Sequence, residues 1–270
     1  MNETIPLPTR FADRAAMLAH VAALSGRDDA ASAVPDIAAG GRKAAEAVLA
    51  KVDPRAYAAS RNHLDGAVTR LSPYIRHGVL SLDEVRNAAL ASVGDPKQAE
   101  KFIQELAWRD YWQRIYLAHP ERVWTDVESY KTGFDAAEYD AELPADIAAG
   151  ETGVACIDQF IATLVETGYL HNHARMYLAS YTVHWRRVSW QAGARFFLEH
   201  LVDADPASNN LSWQWIASTF SNKPYIFNLE NVAKYCGPDI NTIPRHNLVL
   251  DQSYEHLSEL LFPYMGGPHG

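Results

Sequence analysis

The chain has 270 residues, 48% of them hydrophobic, enough to bury a full core in one or two domains. A formal net charge of −9 gives no general attraction to phosphates, so any nucleic-acid contact would need a local basic patch. The two cysteines, Cys156 and Cys236, are too few for a disulfide framework or a cluster site, and are expected as reduced thiols. No apolar run is long enough to predict a membrane span, and the opening MNETIPLPTRFADR lacks the basic-then-apolar order of a secretory signal. A cytoplasmic protein, monomeric and without membrane contact, is the expectation.

Apolar spacing is helical almost throughout, with no convincing period-two run, so an all-α fold is predicted. Residues 10–24 read as a helix ended near Gly26, followed by a Gly/Ala/Asp-rich linker over 28–41. Residues 1–35 are thus assigned to an N-terminal appendage and linker, and 36–270 to the main helical domain. A helix over 42–51 comes next, and Ser81-Leu-Asp-Glu84 is a capping box that opens another. Pro96 starts a long helix that Pro120 closes after about His119. The acidic, Ala/Gly-rich segment 126–153 is expected to be irregular. Helices are predicted near 154–167, 171–185, 190–202 and 209–219, separated by Gly168, Ser189 and the turn from Asp203 to Pro206. A last helix spans about 252–262, capped by Ser253 or its neighbour.

Three clusters carry the chemistry. On the long helix, Glu105, Trp108, Arg109 and Trp112 share one face, bringing a carboxylate, two indoles and a guanidinium together. Such a face is either core packing or the wall of a site for a polar ligand. In His171-Asn172-His173-Ala-Arg175-Met176, the residues Asn172, Arg175 and Met176 share a face. The two histidines, spaced i and i+2, point apart and predict no metal site. An inward arginine needs an anionic partner, and Asp203 and Asp205 in the following turn are candidates, with Ser208 or Asn209 as the cap of the next helix. Trp213 and Trp215 lie two residues apart on that helix, so the two indoles are not expected to fill one pocket.

Read in order, these segments resemble the FAD domain of the photolyase/cryptochrome family. The likeness extends to Gly40-Gly-Arg-Lys-Ala-Ala-Glu and to Thr69-Arg-Leu-Ser72-Pro-Tyr-Ile-Arg-His-Gly78, which matches the family's phosphate-binding loop. It covers roughly residues 40–230, with a divergent tail from about 230 to 270. The resemblance implies FAD as cofactor. Tyr57, Thr69, Arg70, Leu71 and Ser72 would hold its ribose and pyrophosphate, with Phe102, Glu105, Arg109, Asn172 and Ser208 also against it. Arg175 and Asp203 would pair beside the isoalloxazine ring, Asp205 would contact it, and Asn209 would face its N5. Val68 stands where a hydroxyl residue is common in the family.

On the substrate side, Glu105, Trp108, Asn172, Met176 and Trp215 match positions around a flipped-out cyclobutane pyrimidine dimer. The implied activity is light-driven repair of UV-damaged DNA, a lyase reaction. Asn172 departs from the His-His pattern of the six-four class. Trp213 and Trp190 match the first two members of an electron-transfer wire. No tryptophan occurs between 126 and 153 to supply the third, so Tyr139 or Tyr181 would have to stand in. No counterpart of the antenna-bearing domain is read in the chain, so no antenna chromophore is expected. His173 stands in place of a DNA-contacting arginine, and Tyr225-Ile-Phe-Asn228 lacks the arginine usual before Phe-Asn. Arg61, Arg76, His77, Lys223 and Arg109 are left as a basic rim. A cryptochrome-like photosensor, or a flavoprotein acting on a small molecule in the dark, are the alternative functions.

Overall fold

The computed structural model describes Pro8, residues 10–25 and residues 39–265, and divides into two units, Met1–Ala38 and Ala39–Gly270. In the first unit, helix α1 (Arg14–Ser25) begins later than the spacing predicts, because the Asp13 carboxylate accepts the Ala16 amide at 2.8 Å. Met17, Val21 and Leu24 make an exposed stripe along it. Gly26 and most of the expected linker lie outside the described residues.

The second unit is helical, and among the described residues the only strand-like pairing is an isolated bridge between Asp140 and Val188. Its N-terminal part is built from α2 (Arg42–Leu49), α3 (Pro54–Ser60), α4 (Ser72–Arg76), α5 (Leu82–Ala91) and α6 (Glu100–Ala118). The expected capping box starts α5: Ser81 Oγ accepts the Glu84 amide at 3.1 Å and Glu84 Oε2 accepts the Ser81 amide at 2.8 Å. A single 3₁₀ turn, Pro96–Ala99, leads into α6, which ends at His119 ahead of Pro120. Leu71, Leu80, Val85 and Phe102 form the core of this part.

The segment expected to be irregular contains one 3₁₀ turn, Ala136–Glu138, and a short helix α7 (Ala145–Ala149) closed by left-handed Gly150. Helix α8 (Ala155–Thr167) ends at Gly168, and α9 (Asn172–Ser180) runs into one π turn, Tyr181–Trp185. There follow α10 (Trp190–His200), α11 (Pro206–Ala217), α12 (Leu229–Cys236) and α13 (Tyr254–Leu261), the last capped by Ser253. A second, larger core gathers Phe160, Leu164, Leu178, Trp190 and Phe197. Burying each such side chain stabilises the fold by about 1.5–3 kcal/mol. Cys156 and Cys236 are free and buried, and burial pushes both thiols up to about 12. No helix among the described residues is long and apolar enough to cross a membrane.

The start of α11 differs from expectation. Its cap is Asp205, which accepts the Ser208 amide at 3.0 Å, with Pro206 in the first helical position. Ser208 and Asn209 lie inside the first turn and are released to face the space in front of the helix.

Candidate ligand cavity

The two cores meet at a cavity of about 910 Å³. Leu71, Val85 and Phe102 of the first core and Phe197, Trp213 and Ile216 of the second lie on its wall. This position explains why only Phe102 of the 19-residue α6 is buried: its inner face looks into the cavity instead of a core. Glu105, Trp108, Arg109 and Trp112 all lie on that wall, so the shared face lines the cavity and is not core packing.

Polar contacts fix the inner end. Arg175 donates through Nη2 to both carboxylate oxygens of Asp203, at 3.0 and 2.9 Å, and through Nε to the Leu170 carbonyl at 2.8 Å. Asp205 accepts both contacts of the Gln113 amide, at 2.9 and 2.8 Å, and lies 3.7 Å from Arg109. Burial alone would raise the Asp205 carboxyl. The bonds from Ser208, the charge of Arg109 and the Gln113 amide outweigh burial and leave it below the ordinary value. Asn209 donates to the Ala194 carbonyl at 3.0 Å and to Asn210 Oδ1 at 2.9 Å. Both its amide hydrogens are thus engaged, leaving the Oδ1 acceptor for a ligand. His171 caps α9 by accepting the His173 amide at 3.1 Å, and burial, then His173, lowers its pKa to about 4.

Trp213 and Trp215 both line this one cavity, contrary to the expectation of separate surroundings. At 100° per residue, the lining residues of α11 from Asp205 to Ile216 span a stripe about 160° wide, with the two indoles at its edges. Trp213 is buried against Gly193, and its Nε1 has no partner among the described residues. Trp215 is 42% exposed at the mouth, as are Trp108 at 47% and Tyr111 at 42%.

Tyr57, Thr69, Arg70, Leu71, Ser72, Phe102, Asn172, Met176 and Ser208 are on the same wall. Arg70 adopts a left-handed conformation (φ 52°), and its guanidinium sits 4.8 Å over the Tyr169 ring. Trp190 lies behind the wall, with Nε1 2.6 Å from Asp126. The basic rim is not assembled as expected. Arg61 and Lys101 both pair with Glu105, at 3.2 and 2.8 Å. Arg76 donates to the Ala204 carbonyl, and His77 Nε2 lies 2.9 Å from the Val202 carbonyl. These groups hold the turn before α11 in place. His173 sits away from the cavity against Tyr235, with ring centroids 5.3 Å apart, while Lys223 is exposed. No group of three or more His, Cys, Asp or Glu among the described residues could hold a metal ion.

Sequence reasoning missed Gln113, Lys101 and Tyr169. Gln113 and Lys101 each stand four residues from a member of the α6 face, which is a readable signal. Tyr169 lies in the loop between α8 and α9, where no periodicity marks it.

A helical domain with a large cavity at the junction of two cores, its inner end polar and its mouth aromatic, has the form of a ligand-binding domain. The chain belongs to the family of the FAD binding domain of DNA photolyase, whose family model matches residues 102–250. The deoxyribodipyrimidine photo-lyase of Streptomyces griseus is 34% identical over 200 residues, 73% of this chain and 43% of that protein. A bacterial class III photolyase from Agrobacterium tumefaciens superposes with a TM-score of 0.63 at 26% identity, covering 87% of this chain and 49% of its own. An archaeal photolyase from Sulfolobus tokodaii, solved with two FAD molecules, superposes at 0.60 with 32% identity, covering 73% and 44%. The chain therefore spans less than half the length of these photolyases.

Proposed function

We propose that the protein binds FAD in this cavity and uses blue or near-UV light to split cyclobutane pyrimidine dimers in DNA. One observation carries the reading: the residues implied for the cofactor and those implied for the dimer line a single continuous cavity. The cavity fits such a group. Its volume of about 910 Å³ is within the range of ligand sites. The buried Trp213 Nε1 lacks a partner among the described residues, and the fixed Asn209 amide presents an acceptor suited to the N5–H of a reduced flavin.

FAD would supply the light-driven electron that reduces the dimer, and would take it back after the bonds split. The chain's residues position and shield. Arg175 and Asp203 hold their charges against each other beside the ring site, and Asp205 keeps Gln113 and Arg109 in place. Trp108 and Trp215 offer faces to replace the stacking a dimer loses on leaving its strand. Glu105, braced by Arg61 and Lys101, offers an acceptor to the pyrimidine edge.

Electron supply to the flavin would pass from Trp190, which stands three residues before Gly193 on α10, to Trp213 on the cavity wall. The Tyr130 hydroxyl meets the Trp190 backbone, and Tyr130 stacks on Tyr139 with centroids 4.3 Å apart. This stacking favours Tyr139 as the tyrosine that would extend the line, whereas Tyr181 stacks on Trp185.

The test is repair of a thymine-dimer oligonucleotide by photoreduced protein under blue light, with a dark control. Repair in light alone is expected. The internal pairing of Arg61 and Arg76 favours a second reading, a photosensor with little hold on DNA. Absence of repair with flavin bound and reduced would shift the function to that reading.

A further inference from the structure

The two indoles assigned to electron supply differ in what their N–H groups meet. Trp213 Nε1 has no partner among the described residues. Trp190 is fully buried, and its Nε1 donates to Asp126 Oδ1 at 2.6 Å, a short charge-assisted bond. Trp185, by contrast, donates to a neutral acceptor, the Val249 carbonyl. Asp126 is only half-buried. Its remaining polar neighbour is the Gln191 amide at 3.4 Å, and no basic side chain among the described residues pairs with it. Helix α11, which carries Trp213, also fixes the segment of Asp126. Asn210 donates to the Val123 carbonyl at 2.6 Å, and Gln214 Oε1 accepts the Val127 amide at 3.0 Å. One helix thus places the indole on the cavity wall and the carboxylate that meets the indole behind it.

An indole that gives up an electron becomes a cation with an acidic N–H. In a dry core that charge is costly unless it is paired or the proton leaves. At Trp190 a carboxylate lies within bonding reach of that proton, which is the geometry of a general base. The tyrosines further along have no such neighbour. The Tyr139 hydroxyl meets the Thr132 hydroxyl at 2.7 Å with the Arg187 guanidinium beside it, and a guanidinium only donates. The Tyr130 hydroxyl meets the Trp190 backbone. Resting on the assignment of FAD and its electron supply above, we propose that Asp126 is the proton acceptor of the wire, taking the indole proton of Trp190 as that residue is oxidised. One electron leaves Trp190 for Trp213, which has itself given one to light-excited FAD. The Trp190 Nε1–H bond breaks and the proton bonds to Asp126 Oδ1. The net result is a neutral Trp190 radical, a neutral Asp126 acid and FAD richer by one electron. The electron cannot fall back to a neutral Trp190 until the proton also returns, so the separated charge persists. A thiol in solution then supplies the missing electron and Asp126 gives the proton back. The proton is lost at Trp190, before the line reaches Tyr139.

The test is transient absorption after a blue flash on protein loaded with oxidised FAD, in wild type, Asp126→Asn and Asp126→Glu. Asparagine keeps an acceptor for the indole N–H but removes the base, and glutamate restores it. Wild type is expected to form the neutral tryptophan radical, and Asp126→Asn the cation radical, with steady photoreduction by a thiol lowered at least about tenfold. Asp126→Glu is expected to recover the neutral radical. In cofactor-free protein, the Trp190 indole proton resonance should lie downfield in wild type and move upfield in Asp126→Asn. A persistent cation radical in wild type, a result that needs no variant, would overturn the inference. So would a neutral radical with undiminished photoreduction in Asp126→Asn. The photolyase reading fails separately: wild type reduced chemically with dithionite bypasses the wire, and absence of dimer repair there removes that reading while the radical comparison still decides this one.

Discussion

The two ends of the cavity are held by different physics. At the inner end nearly every polar side chain has its orientation set by two or more bonds: Arg175 by Asp203 and Leu170, Asp205 by Ser208 and Gln113, Asn209 by Ala194 and Asn210. At the mouth, rings lean on rings and stay close to half exposed. The inner end is therefore a rigid frame whose members stand or fall together, because each buried partner left alone is costly. The mouth can lose a side chain without loss of fold, so its residues are free to answer to a ligand.

Breaking the frame should have the largest effect. Arg175→Ala leaves the buried Asp203 carboxylate without its guanidinium, and a loss of about 3–5 kcal/mol is expected in urea unfolding, with loss of bound flavin. The cap beneath Arg175 gives the next effect, and it depends on pH. The His171 pKa lies at about 4 in the folded chain against 6.5 unfolded, so its stabilisation is complete above about pH 6.5 and is lost as pH falls toward 4. Across that window the contribution is on the order of 3 kcal/mol. His171→Asn keeps a capping oxygen without a titrating ring. The stability difference between wild type and this variant should shift in the variant's favour between pH 7 and 4. A pH-independent difference would show that the cap does not titrate. Other buried histidines, such as His184 with its pKa near 3, act equally in both proteins.

Gly193→Ala tests the packing behind Trp213 on the cavity wall. Its Cβ would come within 2.2 Å of the Trp213 ring, so the indole must move, at about 1–3 kcal/mol and with altered tryptophan fluorescence. The smallest effect belongs to the mouth. Trp108→Ala should change stability by only about 1 kcal/mol while abolishing most dimer repair. A loss of stability as large as that of Arg175→Ala would erase the contrast between the two ends.

Much of the frame could be read in the sequence because its signals are local. The Ser81–Glu84 box, Pro96, Gly168 and the shared face of Glu105, Trp108, Arg109 and Trp112 are all set within a few residues. Helix α12 went unread although Asn228 caps it and Gly237 follows it, since eight residues between irregular segments give little periodicity. The cap of α11 was placed too late because Asp205-Pro206, a cap followed by an N1 proline, was read as part of a turn. What no local pattern could give is partnership at a distance. Arg61 meets Glu105 across 44 residues and Arg76 meets Ala204 across 128, and these two contacts turn an expected basic rim into internal ties. The shared cavity of Trp213 and Trp215 was missed for a related reason: helical spacing gives directions, but the width of the lining stripe is a tertiary property.

The most direct measurement is titration of cofactor-free protein with FAD, followed by flavin absorbance and by quenching of tryptophan fluorescence. Saturation at one FAD per chain with quenching, lost in Arg175→Ala, is the result expected of a cavity whose wall includes Trp213. A folded wild-type chain that takes up no FAD, or takes it up without quenching, would contradict the assignment of this cavity to the flavin.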